Sequence, residues 1–124
     1  MRQADFVVPS NRQTPIAADL RFDSPAASGD LSASFDWRHA EGECWQIAIE
    51  TEDGSVLELK DGGTHLVVDG QVQGSSGATE YESLYRTFAE LVGARRAHVD
   101  LAPLRLTAEA FLLAGRVASE PFVD

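Results

Sequence analysis

The hydrophobic period of this chain changes once, near residue 79, and that change limits the folds open to it. Between residues 16 and 73, apolar and polar residues alternate in short segments, which is the period of strands with one buried face. From Thr79 onward, apolar residues recur three and four positions apart, as in amphipathic helices. Because such strands and helices each need another element to cover them, we expect the helices to pack on the sheet.

The sequence therefore predicts an α+β fold: an open, mainly antiparallel β-sheet, two C-terminal helices packed on one face, and a short terminal strand. The strands are expected to form a meander, with tight turns at three sites that contain glycine: Asp53-Gly54, Asp61-Gly62-Gly63 and Asp69-Gly70. One side of the sheet is predicted to be apolar, formed by Leu31, Ala33, Phe35, Trp37, Trp45, Ile47 and Ile49. The opposite side mixes Ala48, Val56 and Val67 with polar groups, and a mixed surface of this kind suits a dimer interface.

The ends of the two helices are marked by capping residues. Thr79 and Glu82 have the spacing of a capping box, so the first helix should begin there. Asp100 is expected to cap the second helix, and Gly115 to end it. Residues 117–122 are predicted to be extended, residues 74–77 to be a connection, and residues 1–14 to be irregular.

Length and charge restrict the class of protein. A chain of 124 residues is expected to be a single domain, 1–124, with one hydrophobic core. Its net charge of −10 argues against a nucleic-acid partner, because phosphates are held by clustered Lys and Arg. No apolar run approaches the roughly 20 residues of a membrane helix, and no signal peptide is recognisable, so a cytoplasmic protein is expected.

The usual chemical motifs are missing from the sequence. Cys44 is the only cysteine, and His39, His65 and His98 are too far apart to show metal-ligand spacing. The acidic residues between 41 and 53 flank a predicted hairpin and are interpreted as solvated. No G-x-G-x-x-G segment offers a phosphate cradle. We therefore predict no catalytic, cofactor-binding or metal-binding residue in this chain.

Two tryptophans are the remaining candidates for a binding role. Trp37 shares an apolar phase with Phe35, and Trp45 shares one with Ile47 and Ile49. Indoles at such positions commonly fill a core or a subunit interface. The functional alternative is that Trp45 or Trp37 stacks on a sugar at the rim of a cleft.

Several phrases of the sequence resemble the C-terminal part of the glucose–fructose oxidoreductase/inositol dehydrogenase (Gfo/Idh/MocA) family, in the branch that oxidises aldoses. The phrases lie at residues 11–20, 35–38, 60–63 and 100–106, and the two helices with the terminal strand at 79–122 follow the same order. Together they cover most of the chain, although none of them is a catalytic signature.

The resemblance implies an NAD(P)-dependent aldose 1-dehydrogenase with an N-terminal Rossmann domain that this chain lacks. It also implies a catalytic Lys in a Glu-Lys-Pro motif and a His or Asn on a helix early in the C-terminal domain. This sequence has no Glu-Lys-Pro and begins after that helix, so no catalytic residue is carried over. The chain would supply the sheet, part of the sugar cleft and the contacts of a homodimer or larger homo-oligomer, and would be inactive alone.

A different class of function fits the same residues. A non-enzymatic α+β module that binds a small ligand or a protein would also lack catalytic motifs. An upstream coding sequence with G-x-G-x-x-G and Glu-Lys-Pro would decide for the dehydrogenase.

Overall fold

The computed structural model describes residues 1–73 and 79–123, and the predicted connection at 74–77 lies outside them. Strands and helices follow in an order that confirms the α+β class. Eight strands are present in the described residues: β1 (Gln3–Pro9), β2 (Ala17–Phe22), β3 (Leu31–Asp36), β4 (Gln46–Glu50), β5 (Val56–Lys60), β6 (His65–Val68), β7 (Gln71–Gln73) and β8 (Gly115–Ser119). The helices are α1 (Glu80–Gly93) and α2 (Ala102–Leu113), and a short 3-10 turn occupies Asp61–Gly63.

The strands form two four-stranded sheets, in the orders β3-β2-β1-β8 and β4-β5-β6-β7. The chain accordingly divides into unit 1, which is Met1–Ala40 with Val99–Asp124, and unit 2, which is Glu41–His98. The predicted apolar side is thus shared between two sheets, since residues 31–37 belong to unit 1 and residues 45–49 to unit 2. That residues 1–124 act as one domain stays a prediction.

Strand β1 is the centre of unit 1, so the prediction that residues 1–14 are irregular is wrong for Gln3–Pro9. It pairs antiparallel with β2 and parallel with β8. Ala4 and Phe6 are each only 3% exposed. A central strand is buried by its neighbours on both sides, and this one carries Asp5 among its apolar residues and ends at a proline, so its sequence shows little more than an apolar island.

Helix α2 packs on β1 and closes the core of unit 1. Phe6 meets Phe111 edge to face, with ring centroids 5.1 Å apart, and Ala110 is 5% exposed. The register places Phe6, Ala18 and Phe35 side by side across three strands, so the same face continues beyond the helix.

The side chain of Asn11, just after β1, binds the backbone of Phe122 near the end of the described residues. Asn11 donates from Nδ2 to the carbonyl of Phe122 and accepts from the Phe122 N–H, both at 2.8 Å. Together with the parallel pairing of β1 and β8, this contact joins segments more than a hundred residues apart.

Unit 2 is a meander held by short turns. Asp69 and Gly70 join β6 to β7 with φ of 50° and 77°, a conformation that Asp-Gly adopts at low cost. The Asp69 carboxylate also accepts the N–H of Val56 at 2.8 Å. One face of this sheet is strongly apolar, with Ile47 beside Leu59 and Leu59 beside Leu66.

Helix α1 begins as predicted and yet stays uncovered. Thr79 and Glu82 form both hydrogen bonds of the capping box. Five large apolar residues along the helix remain exposed, from 60% at Leu84 to 67% at Tyr81, and Leu91 is partly buried, whereas α2 buries Ala110. The predicted packing of helices on a sheet is therefore seen for α2, which packs on β1.

We expect Phe6→Ala to destabilise the chain by about 3–5 kcal/mol, because the change removes a buried ring that touches both the sheet and α2. Leu112→Ala is the control, since Leu112 is 83% exposed and alanine favours a helix, and its effect should stay within about 0.5 kcal/mol. Urea unfolding followed by circular dichroism measures both. Equal losses for the two variants would contradict a core centred on Phe6.

Candidate functional site

Trp37 lies just beyond the end of β3, at the edge of the unit 1 sheet. Its backbone N–H donates to the Ile16 carbonyl at 3.1 Å, which extends the pairing of β2 and β3 by one residue. The indole stacks on Phe35 with ring centroids 6.2 Å apart and an interplanar angle of 17°. It is 64% exposed, so the pair presents a broad aromatic surface to solvent.

A charged pair flanks this aromatic surface. Arg38 donates from Nε and Nη2 to the two carboxylate oxygens of Asp36 at 2.8 and 2.7 Å. The Arg38 backbone N–H adds a third bond at 2.9 Å. The hydrogen bonds from the Arg38 side chain, followed by the backbone bond, lower the pKa of Asp36 to about 2. Asp36 is therefore a fixed carboxylate at neutral pH, an acceptor rather than a proton donor.

Trp45 lies in unit 2, immediately before β4, and is partly packed on the turn that follows β5. The nearest ring carbons lie 3.8 Å from the position that a Cβ on Gly63 would take, and Gly63 has φ of 87°. The indole is 41% exposed, so one part of its surface is held and another is open. The sequence analysis gave a sugar contact at Trp45 or Trp37 as the functional alternative, and that role stays a prediction.

His65, which contacts Asp61 and Thr64, does not form an arrangement that could activate a nucleophile. His65 Nδ1 lies 3.1 Å from Asp61 Oδ2 and 3.0 Å from Thr64 Oγ1. A Ser-His-Asp type site needs the hydroxyl and the carboxylate on different ring nitrogens. Here both contact the same nitrogen, so Asp61 and Thr64 hold the ring in place and no proton path to the hydroxyl exists.

In the acidic hairpin of unit 2, Asp53 has a structural role within the turn. Asp53 accepts from the Thr51 hydroxyl and from the Ser55 N–H, the latter at 3.3 Å. The bond from Thr51, with that from Ser55, lowers the pKa of Asp53. The Asp53 carboxylate thus closes the hairpin, in keeping with its interpretation as a structural, solvated acid.

Sequence reasoning missed a polar depression of about 460 Å³ between Arg2 and residues 22–30. Arg2 there contacts Asp23 at 3.6 Å and Asp30 at 3.3 Å. Only the pairing of β1 with β2 brings these distant residues together, so the sequence carried no local signal for them. Because two carboxylates already neutralise the guanidinium, the depression is not suited to an anion.

No group of three or more His, Cys, Asp or Glu that would hold a metal ion is found among residues 1–73 and 79–123. Over the same residues, neither helix is long and apolar enough to cross a membrane. Cys44 is exposed, with a free thiol.

Both helix N-termini are occupied by the chain itself. The Glu82 carboxylate accepts from the Thr79 N–H at 2.7 Å at the start of α1. The N-cap residue of α2 is Leu101 rather than the predicted Asp100, and no side chain caps this helix. The Asp100 carboxylate lies one residue earlier and accepts from the Ala102 N–H at 2.9 Å. A phosphate needs free N–H groups and no adjacent carboxylate, so neither helix fits a dinucleotide.

Comparison with known proteins confirms the predicted resemblance. The chain is 40% identical over all 124 residues to galactose 1-dehydrogenase of Pseudomonas fluorescens, and it spans 40% of that protein. It is also 40% identical to D-galactose-1-dehydrogenase from Rhizobium etli, whose crystal structure matches 98% of the chain with a TM-score of 0.87. The chain spans 38% of that protein. No family model matches the sequence.

These matches are consistent with a C-terminal fragment of a sugar dehydrogenase, and the Gfo/Idh/MocA family is consistent with the matched enzymes.

We expect Arg38→Gln to raise the pKa of Asp36 from about 2 toward 3.8, because the bidentate hydrogen bonds that favour the carboxylate are lost. Since the folded pKa is the lower one, the stabilisation by this pair is present above about pH 4 and is lost as the pH falls toward 2. Carboxyl NMR signals followed against pH measure the shift.

Arg105→Gln, on the exposed surface of α2, is the matched control and should leave the titration of Asp36 unchanged. An Asp36 titration that is the same in the Arg38→Gln variant and in the unaltered chain would refute the assignment of the shift to Arg38.

Proposed function

We propose that this chain is the C-terminal substrate and oligomerisation domain of an NAD(P)-dependent aldose 1-dehydrogenase of the Gfo/Idh/MocA family. The observation that carries the proposal is the match over the full chain at 40% identity to a protein named for the oxidation of galactose. The chain spans only about two fifths of that relative, so the remainder of the parent enzyme lies outside it.

The nicotinamide cofactor belongs to the part of the parent enzyme outside this chain. The described residues do not fit a dinucleotide, since carboxylates already occupy the starts of α1 and α2. The sequence also has no glycine-rich turn between a strand and a helix of the kind that cradles a pyrophosphate. The 124 residues alone therefore bind no nicotinamide and show no turnover.

A sugar is the ligand class that the exposed tryptophans support. Flat aromatic faces pack against the C–H groups of a pyranose, and neighbouring charged groups bind its hydroxyls. Trp37 has such a face, with Asp36 and Arg38 beside it, and Trp45 has a second one anchored on Gly63. Within the parent enzyme, Trp45 or Trp37 forms part of the wall of the sugar cleft.

Subunit contacts are the second role. The unit 2 sheet carries apolar residues on one face that remain open, with Ile47 46% and Ile49 53% exposed. Exposed apolar patches of this kind are typical of protein interfaces. A cytoplasmic homodimer, or a larger homo-oligomer, formed through a sheet face completes the proposal.

A chimera tests the proposal directly. The segment of the Pseudomonas fluorescens enzyme that matches this chain is replaced by the 124 residues, and the product is assayed with D-galactose and NAD or NADP. We expect reduced nicotinamide to form with the chimera and not with the 124-residue chain alone. A folded chimera without activity, or turnover by the chain alone, would count against the proposal.

In the active chimera, Trp37→Ala and Trp45→Ala separate the two candidate sugar contacts. Whichever tryptophan stacks on the sugar, its change to alanine should raise the KM for D-galactose roughly tenfold. The reason is that burying one indole face against the sugar contributes on the order of 1–2 kcal/mol of binding free energy. Tyr81→Ala, which removes an exposed aromatic ring from α1, is the control. An unchanged KM in both tryptophan variants would remove them from the site.

A further inference from the structure

The turn that joins β5 to β6 has an uncommon backbone. Asp61, Gly62 and Gly63 have φ of 52°, 65° and 87°, so three successive residues have positive φ. Glycine adopts such angles at little cost, and aspartate tolerates them better than most residues do. A residue other than glycine keeps this conformation only where the surrounding structure holds it, and such residues cluster at functional sites.

Thr64 supplies the contacts that hold this turn. Its backbone N–H and its hydroxyl both donate to the Asp61 carbonyl, at 3.3 and 2.8 Å. His65 Nδ1 lies 3.1 Å from Asp61 Oδ2 and 3.0 Å from Thr64 Oγ1, so the Asp61 side chain is held as well. We call residues Asp61–Thr64 the β5–β6 turn.

The indole of Trp45 packs on the β5–β6 turn. The pairing of β4 with β5 sets Gln46 beside Lys60, so Trp45, one residue earlier, lies opposite the start of the turn. A Cβ on Gly63 would lie 3.8 Å from two carbons of the six-membered indole ring and 3.6 Å from Leu59 Cδ2. Because glycine has no side chain, the turn backbone approaches the ring with nothing between them.

From this geometry we infer that the β5–β6 turn positions Trp45 for its contact with the sugar. The inference rests on the proposed function, since the sugar belongs to the parent enzyme. Thr64 and Gly63 are positioning residues that act through the indole, Thr64 by closing the turn and Gly63 by allowing the close approach. An aromatic side chain that is already ordered loses less conformational entropy when it binds, so the turn favours binding of the sugar.

Trp37 offers a comparison within the same chain. Its indole stacks on Phe35, which lies two residues earlier in the sequence and is itself 47% exposed. Trp45 packs instead on a turn that its own hydrogen bonds close. We therefore expect the Trp45 indole to be the more rigid of the two.

Time-resolved fluorescence anisotropy of the 124-residue chain measures this rigidity. Trp37→Phe leaves Trp45 as the only tryptophan, and Trp45→Phe leaves Trp37. We expect the amplitude of fast local motion to be lower for Trp45 than for Trp37. In the Trp37→Phe background, Thr64→Val removes the hydroxyl at nearly constant volume and should raise that amplitude roughly twofold, as one fixed rotamer becomes several. Thr64→Ser keeps the hydroxyl and should restore the low amplitude.

Thr51→Val is the matched control in unit 2. The Thr51 hydroxyl also closes a turn, through Asp53 and through the Ser55 carbonyl at 3.0 Å, and this turn lies at the other end of β4. Its loss should leave the motion of Trp45 unchanged. Equal increases in the Thr51→Val and Thr64→Val variants would show only a general loosening of unit 2 and would overturn the inference. A Trp45 indole as mobile as that of Trp37 would overturn it without any change to the turn.

The active chimera tests the link between the turn and the sugar. Thr64→Val should raise the KM for D-galactose roughly two- to tenfold with kcat little changed, which is the cost of ordering one mobile side chain on binding. Thr51→Val should leave the KM unchanged. An unchanged KM in Thr64→Val, although the indole moves more, would refute the positioning role. A chimera without any activity would count against the proposed function, whereas the anisotropy of the 124-residue chain decides separately whether the turn fixes Trp45.

Discussion

The parallel pairing of β1 with β8 is the contact on which unit 1 depends. It sets Val7 beside Val117 and continues to Pro9 beside Ser119. Strand β8 directly follows α2, so its pairing with β1 holds α2 against the sheet, where Phe111 contacts Phe6. Parallel strands need a long connection, and here the connection includes the whole of unit 2.

Unit 2 depends on local contacts instead. Its strands are consecutive in sequence and pair as a meander, so its hydrogen bonds join residues close along the chain. The turns at Gly54 and Gly70 have the positive φ that their sequences predict. What unit 2 lacks is a cover for its apolar groups. Ile49 is 53% exposed, and the large apolar residues of α1 other than Leu91 are at least 60% exposed.

The parts of the fold that the sequence predicts are the ones determined locally. The capping box at Thr79, the Asp-Gly turns and the strand at Leu31–Asp36 follow from neighbouring residues, and the structure confirms them. The buried face predicted for that strand is not found, since Phe35 is 47% exposed. Strand β1 was missed because its burial comes from β2 and β8, which its own residues do not reveal. The division into two sheets and the depression at Arg2 also depend on distant pairing. Of the candidate site, the sequence singled out Trp37 and Trp45 but placed them on an apolar side typical of a core or a subunit interface. Their exposure and the Asp36–Arg38 pair required the structure.

The core of this chain lies in unit 1, around β1, whereas α1 is held by its own capping box and buries little of its apolar face. Amide hydrogen exchange of the dilute, monomeric chain measures this difference most directly. We expect amides of β1, around Phe6 and Val7, to exchange far more slowly than those between Leu84 and Phe88. Equal protection in β1 and in the middle of α1 would show that the helix is already buried and would contradict the account.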